Sequence, residues 1–308
     1  MTNTVIIPCH NNAQWITRAL DSIQGQSRRP DEVIVVVDRC SDRSASVAAD
    51  HGLRPTVLET DFGNAAESRN FGVRFANSET VSFLDADDWW LDHHLEDALH
   101  YLSLNNDSAY ISHYAEFWQQ SARVFNQKPL FEGQPKTGLS HNHFYDFFLS
   151  VNPGWCTCGM VVRTDCFRAV GGFDITQLRR HDAEMFARVI HGKTWTYNPR
   201  IGFMYRKEIG ATVSSPRAEC SLYRFLADQK ITNLYDPARA LGHLRSRAEI
   251  CLSECLSSAD DEHLLRLALP LCSPYLRFDR RIFFLGARYA PSLARRLRLV
   301  IRKIIRPQ

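Results

Sequence analysis

Apolar positions in the first ninety residues alternate between short continuous runs and helical stripes. Val5-Ile6-Ile7-Pro8 is a brief apolar run ended by a breaker. Beyond it Trp15, Ile16, Ala19, Leu20 and Ile23 recur at helical spacing, which predicts a helix capped by Asn11 or Asn12 and closed by Gly25. Val33 to Val37 is an unbroken β-branched run, the pattern of a strand covered on both faces. Ser41 to Asp50 reads as helix, Thr56-Val57-Leu58 as strand, Ala65 to Ala76 as helix and Thr80 to Leu84 as a fourth strand. Strand and helix in alternation, with short connections, predict an α/β fold whose mostly parallel sheet carries helices on its faces. Such sheets bind ligands at the carboxyl ends of their strands. Here those ends are Pro8 to Asn11, Asp38 to Asp42 and Asp85 to Asp88.

The pattern changes further on. From about Asp107 to Arg206 it is less regular, with aromatic-rich strands, a Gly171-Gly172-Phe173 turn and a helix from Asp182 to Ile190. From about Pro216 it is helical, with amphipathic stretches at Pro237 to Ala259 and Glu262 to Cys272. This predicts a first domain over 1–215 and a helical region over 216–308. In the last segment Leu293, Leu297, Val300, Ile301 and Ile304 make an apolar stripe among arginines, and no acid follows Arg280. A basic amphipathic helix of this kind lies on an anionic membrane surface or packs on its own domain.

Composition narrows the class. A net charge of +3 over 308 residues gives no reason to expect nucleic acid. The nine cysteines show neither a disulfide framework nor paired zinc spacing. Cys156-Thr157-Cys158, on an expected strand, and Cys251 with Cys255 read as buried reduced thiols. The N-terminus runs directly into a strand and no apolar run spans a bilayer, so a cytoplasmic protein without a signal peptide is expected, with the inner face of the membrane as its possible docking place.

The acidic run Asp85-Ala86-Asp87-Asp88 supports two readings. If the strand persists, Asp85 and Asp87 point the same way and need a cation, a proton or hydrogen-bond donors to coexist, a need that Mg²⁺ or Mn²⁺ meets with oxygen ligands. Alternatively Asp87 or Asp88 caps a helix starting near Trp89, contributing about 1 kcal/mol. Asp38 is a ligand acceptor or a turn residue. Asp182, after Arg179-Arg180-His181, is a general base or a first-turn acid. Trp155, Trp195 and Tyr197 are core aromatics or line an acceptor site.

Taken in order, these segments resemble the inverting GT-A-fold glycosyltransferases of family 2, of the type that assembles bacterial polysaccharides. The resemblance covers about residues 4 to 215. It is carried by Val5 to Asn11, by Val35 to Asp42, by Asn64 through Glu67-Ser68-Arg69-Asn70 and Gly72, and by Phe83-Leu84-Asp85-Ala86-Asp87-Asp88. It continues through Gly171-Gly172-Phe173-Asp174, His181 to Arg188, and Tyr205-Arg206 with Ser214-Ser215. The chain departs from the family at Val37, where an acid is frequent, and at His181, where Glu is usual. The resemblance implies that Pro8, Cys9, Asn11, Asp38, Arg69, Asp85 and Asp87 bind a nucleotide-sugar donor, a UDP-sugar by family habit. It implies a divalent metal (Mg or Mn) on Asp87 and Asp85, and Asp182 as the base. The expected reaction moves a sugar with inversion to the hydroxyl of a saccharide, a lipid-linked acceptor or another molecule, in cell-surface polysaccharide or glycolipid assembly. The alternative is a catalytically inactive GT-A module that binds nucleotide or glycan as an assembly partner.

Overall fold

The computed structural model describes residues 1–118, 123–126, 129, 131–144, 156–207, 217–234, 237–257, 262–277, 281 and 284. The chain divides into two compact units, Met1–Thr176 with His181–Thr212, and Gln177–Arg180 with Val213–Gln308. Trp155, Ser214-Ser215 and the basic stripe from Leu293 to Ile304 lie outside the described residues.

In the first unit β1 (Asn3–Cys9), α1 (Ile16–Gln24), β2 (Glu32–Asp38), α2 (Ser44–Ala49), β3 (Thr56–Thr60), α3 (Ala65–Phe75) and β4 (Thr80–Phe83) alternate as the apolar pattern predicts. They form the parallel order β3-β2-β1-β4. Then follow β5 (Trp89–Trp90), α4 (His94–Leu104), β6 (Ala109–Trp118), β7 (Arg123–Asn126), β8 (Lys136–Ser140), β9 (Met160–Arg163), α5 (Thr164–Ala169), α6 (His181–Ile190) and β10 (Thr194–Lys207). β9 runs antiparallel between β4 and β6, and β10 is parallel to β6. β5 and β8 add to β10, and β7 to β6, all antiparallel. The result is a mixed α/β sheet whose N-terminal portion is wholly parallel. The chain winds outward from β1 to β3 and returns on the other side of β1 as β4. That reversal makes the carboxyl ends of β1 and β4 a topological switch point.

The strands are apolar on both faces because both are covered. Val5, Ile7, Val33, Val35 and Val37 pack with Ile16, Ala19, Leu20 and Ile23 of α1. On the opposite face α3 comes so close that a Cβ at Gly72 would meet Ile6 at 2.7 Å and Val36 at 3.2 Å. Helix α3 buries Ala66, Ser68, Arg69, Gly72 and Val73, leaving Phe75 47% exposed. A charged residue thus occupies the inner stripe where periodicity alone would have placed a phenylalanine.

Three local expectations are corrected and one open alternative is resolved. Neither Asn11 nor Asn12 gives α1 a side-chain cap: Trp15 stands at that position, and Asn12 contributes only its carbonyl. The helix expected to begin near Trp89 starts later, at His94. Two adjacent tryptophans fit an extended backbone better, form β5, and pair with Phe203 and Met204. Cys156-Thr157-Cys158 is not a strand, since Thr157–Gly159 is a 3₁₀ turn. Trp195 and Tyr197 are buried in β10, and Trp195 packs edge-on against Phe144 and Phe186, so both are core aromatics.

The second unit contains α7 (Arg217–Leu234), α8 (Pro237–Ser257) and α9 (Glu262–Cys272). Leu244, Ala248, Cys251, Leu252, Cys255 and Leu256 of α8 meet Leu265, Ala268, Leu269 and Cys272 of α9. Within it Asp228 is fully buried and is paired with Arg180, His243 and Arg247. Among the described residues no helix is long and apolar enough to cross a membrane.

Candidate active site

The loops after β1 and β2 are laced together. The Asn11 carboxamide oxygen accepts from Ser41 N at 2.8 Å, and Ala13 N and Asn12 N donate to Asp42 and Ser44. His10 Nδ1 donates to the Asp38 carbonyl at 2.7 Å, and Cys40 Sγ bonds the Cys9 carbonyl. Pro8, Cys9 and Asn11 therefore belong to one braced rim, with Asn11 and Arg39 at positive φ (50° and 51°). Asn pays little for that conformation.

Asp38 is buried, and its carboxylate organises the segment entering α3. One oxygen accepts from Phe62 N at 2.7 Å and Gly63 N at 3.0 Å, with the Thr60 hydroxyl at 3.4 Å. The other accepts from Asn64 N at 3.0 Å and the Ser68 hydroxyl at 3.1 Å. Burial opposes its ionisation, but these donors outweigh burial and hold the carboxyl below the usual carboxylate range.

The acidic run departs from the strand geometry expected of it. β4 ends at Phe83, and Asp85 to Asp88 form a turn closed by Asp88 N on the Asp85 carbonyl at 3.1 Å. Each acid has its own partner. Asp85, 30% exposed, is paired with Arg69 Nη2. Asp87, 34% exposed, is paired with Arg206 Nη2 at 2.8 Å. The Arg206 guanidinium also lies 4.4 Å from the Trp15 ring centroid. Asp88 is 1% exposed and caps no helix; it accepts from Arg206 N at 2.9 Å and from the Cys158 thiol at 3.1 Å. Burial, reinforced by the charge of Asp85, pushes the Asp87 carboxyl above its ordinary range in spite of Arg206. For Asp88 burial and both neighbouring acids push further in the same direction. The turn thus sets three carboxyls against two guanidinium partners. Asp85 and Asp87, as partly exposed hard oxygen donors, fit a Mg²⁺ or Mn²⁺ ion.

Arg69 links this turn to the helix that carries Asp182. It is 4% exposed and stacks 5.6 Å from the Phe173 ring. Burial works against its charge, and the Asp85 partner more than restores it. Besides Asp85, its Nη1 donates to His181 Nε2 at 3.2 Å, which leaves the imidazole proton on Nδ1. His181 and Asp182 open α6, and Asp182 is half-buried with Oδ1 accepting from Ala183 N at 2.8 Å. The helix start is fixed from below. Arg188 grips Glu184 through two bonds of 2.7 Å and reaches the carbonyls of Val170 and Gly172. Asn70 exchanges two 2.8 Å bonds with the backbone of Phe173. Gly172 needs its positive φ of 72°, and a Cβ there would strike the Asn70 side chain.

The structure therefore brings Asp85, Asp87, Arg69, His181 and Asp182 together and gathers Pro8, Cys9, Asn11 and Asp38 along the adjoining strand ends. Sequence reasoning missed Arg206 as the partner of Asp87, and Cys158 as the partner of Asp88. Tyr205-Arg206 was visible as a motif, but nothing in the spacing showed that its guanidinium returns to residue 87.

The profile of glycosyl transferase family 2 matches residues 4–168. An uncharacterised glycosyltransferase of Rickettsia typhi is 24% identical over 190 residues, 61% of this chain and 58% of that one. The poly(ribitol-phosphate) β-N-acetylglucosaminyltransferase TarP of Staphylococcus aureus is 30% identical over 117 residues, 36% of each chain. The chain thus spans 58% of the Rickettsia relative's length and 36% of TarP's. The S. aureus TarS structure with UDP-GlcNAc superposes with a TM-score of 0.66 at 17% identity, over 96% of this chain and 90% of that one. Its fold is the GT-A fold expected from the sequence. On the profile match across more than half of its length, the chain belongs to glycosyl transferase family 2.

Proposed function

We propose that this chain transfers a sugar from a nucleotide diphosphate to an acceptor hydroxyl with inversion, in the assembly of a polysaccharide or glycolipid. The observation that carries the reading is Arg69, which joins the donor-side acid Asp85 to His181 beside Asp182. That join brings the acidic turn, which fits a cation, and the Asp182 carboxylate into one site, as a metal-assisted single displacement needs.

Asp182 takes the proton of the acceptor hydroxyl on the carboxylate oxygen not held by Ala183 N. The hydroxyl oxygen attacks the anomeric carbon as its bond to the diphosphate breaks, and the electron pair leaves with the diphosphate. General base catalysis of this kind contributes roughly 10²–10⁴-fold. Asp85 and Asp87 would hold Mg²⁺ or Mn²⁺, and the ion would supply positive charge for the leaving diphosphate. Pro8, Cys9 and Asn11 border the nucleotide, and Asp38 acts on it through the Phe62–Asn64 backbone that it organises. The TarS structures with UDP-GlcNAc and with UDP favour a UDP-sugar here.

The test is a thermal-shift screen of nucleotide sugars with and without Mn²⁺, followed by a nucleotide-release assay on the hits. The expected result is a Mn²⁺-dependent rise in Tm with a UDP-sugar, followed by release of UDP. Binding with no release from any donor, acceptors included, would point to the inactive binding module instead.

A further inference from the structure

We propose that Asp88, Cys156 and Cys158 form a second cation site, distinct from Asp85 and Asp87, that takes a thiophilic divalent ion such as Zn²⁺. One ligand atom from each of the three residues lies within 4.8 Å of the others. Three chain segments contribute to it or hold it: the acidic turn, the 3₁₀ turn before β9, and the end of β10. Asp88 is 1% exposed and Cys158 is fully buried, while Cys156 is partly exposed.

Two observations separate this cluster from ordinary packing. The first is the poor satisfaction of Asp88. Asp38, equally buried, accepts five hydrogen bonds, four of them at 3.1 Å or less. Asp88 accepts one backbone N–H and one thiol, a weak donor, although Asp85 and Asp87 lie close by. Such a carboxyl retains acceptor capacity, and the ligand atoms of the two thiols lie within reach of it. The second is the outer support. Arg206 N fixes Asp88 Oδ1, and Asp85 N at 3.3 Å orients Cys158 Sγ, the type of secondary contact that sets metal ligands in place.

The chemistry of the donor set chooses the ion. Two sulfurs and one oxygen select Zn²⁺ or Cd²⁺, whereas the oxygen-only pair Asp85 and Asp87 selects Mg²⁺ or Mn²⁺. A tetrahedral zinc with Zn–S of ~2.3 Å and Zn–O of ~2.1 Å sets S and O ~3.6 Å apart. Cys158 Sγ and Asp88 Oδ2, now 3.1 Å apart, open by about half an ångström to admit it. On loading, each thiol releases its proton to solvent as its S–Zn bond forms, and Asp88 Oδ2 exchanges the S–H donor for the ion. The loaded ion staples the turn that carries Asp85 and Asp87 to the 3₁₀ turn. The inference is independent of the transfer reaction proposed above.

The test titrates Cd²⁺ into the full chain, freed of metal, under a phosphine reductant and with excess Mg²⁺ to occupy the hard site. The readout is the ultraviolet thiolate-to-cadmium charge-transfer band. One equivalent should develop the band, Zn²⁺ should displace it, and both Cys156→Ser and Cys158→Ser should lose it. Cys251→Ser, in the buried thiol group of the other unit, should keep it. Circular dichroism checks folding, and if the buried Cys158→Ser does not fold, the half-exposed Cys156→Ser decides alone. No band, or a band that survives in folded Cys156→Ser, overturns the site.

Discussion

Arg69 shows how much one side chain decides in this site. It is buried, paired with Asp85, and hydrogen-bonded to the imidazole of His181. Replacing one partner of a buried ion pair leaves the other charge uncompensated, at a cost of about 3–5 kcal/mol. Asp85 retains 30% exposure, which places Arg69→Met at the lower end of that range, about 3 kcal/mol by urea unfolding. A loss below about 1 kcal/mol would mean that solvent already screens the pair. The residue types at the site were legible in the sequence, and their pairings were not. Asp38 was readable as a strand-end carboxylate, but three of its five donors are backbone N–H groups of Phe62, Gly63 and Asn64, in a loop whose path no periodicity encodes. Asp88 was read as a helix cap because Asp before an apolar pair commonly is one. The competing preference of Trp89-Trp90 for a strand won, and Asp88 turned inward to β10.

Elements are where the pattern reading served best, because period alone separates the stripe of α1 from the continuous run of β2. It failed where function or turn chemistry overrides period, as in α3, whose inner face holds Arg69 and Gly72. The turn before α6 carries a sharp prediction. Gly172→Ala adds a Cβ at φ 72° against Asn70, the residue that clamps Phe173. It should destabilise by about 1–3 kcal/mol in chemical denaturation and slow turnover by shifting Asp182. An unchanged midpoint would show that the turn relaxes freely. Helix α4 carries a pH prediction. His94, its first residue, is fully buried against Trp90 with neither ring nitrogen bonded, and burial pushes its pKa down to about 3. Between the unfolded value of about 6.5 and that folded value the unfolded chain binds the extra proton. This contribution is therefore intact above pH ~6.5 and is lost on acidification, by up to ~1.4 kcal/mol per pH unit. His94→Leu should flatten the stability profile between those pH values relative to wild type. Parallel profiles for the two proteins would show that His94 takes up its proton in the folded state.

At the scale of the molecule, the order of motifs over two hundred residues was the most legible feature, and it matched the parallel order β3-β2-β1-β4 with its switch point at β4. The insertion of β9 between β4 and β6 was not legible, since antiparallel pairing across eighty residues leaves no local trace. The same insertion brings Cys156 and Cys158 beside the acidic turn. The catalytic proposal joins distant parts of the first unit, because its base lies almost a hundred residues after its donor acids and Arg69 bridges the two. The most direct test compares wild type with Asp182→Asn for release of UDP from an active UDP-sugar with acceptor, alongside calorimetric titration of UDP and Mn²⁺. The account predicts a fall in turnover of about 10²–10⁴-fold with UDP affinity within about twofold of wild type. Turnover by Asp182→Asn at the wild-type rate would contradict it.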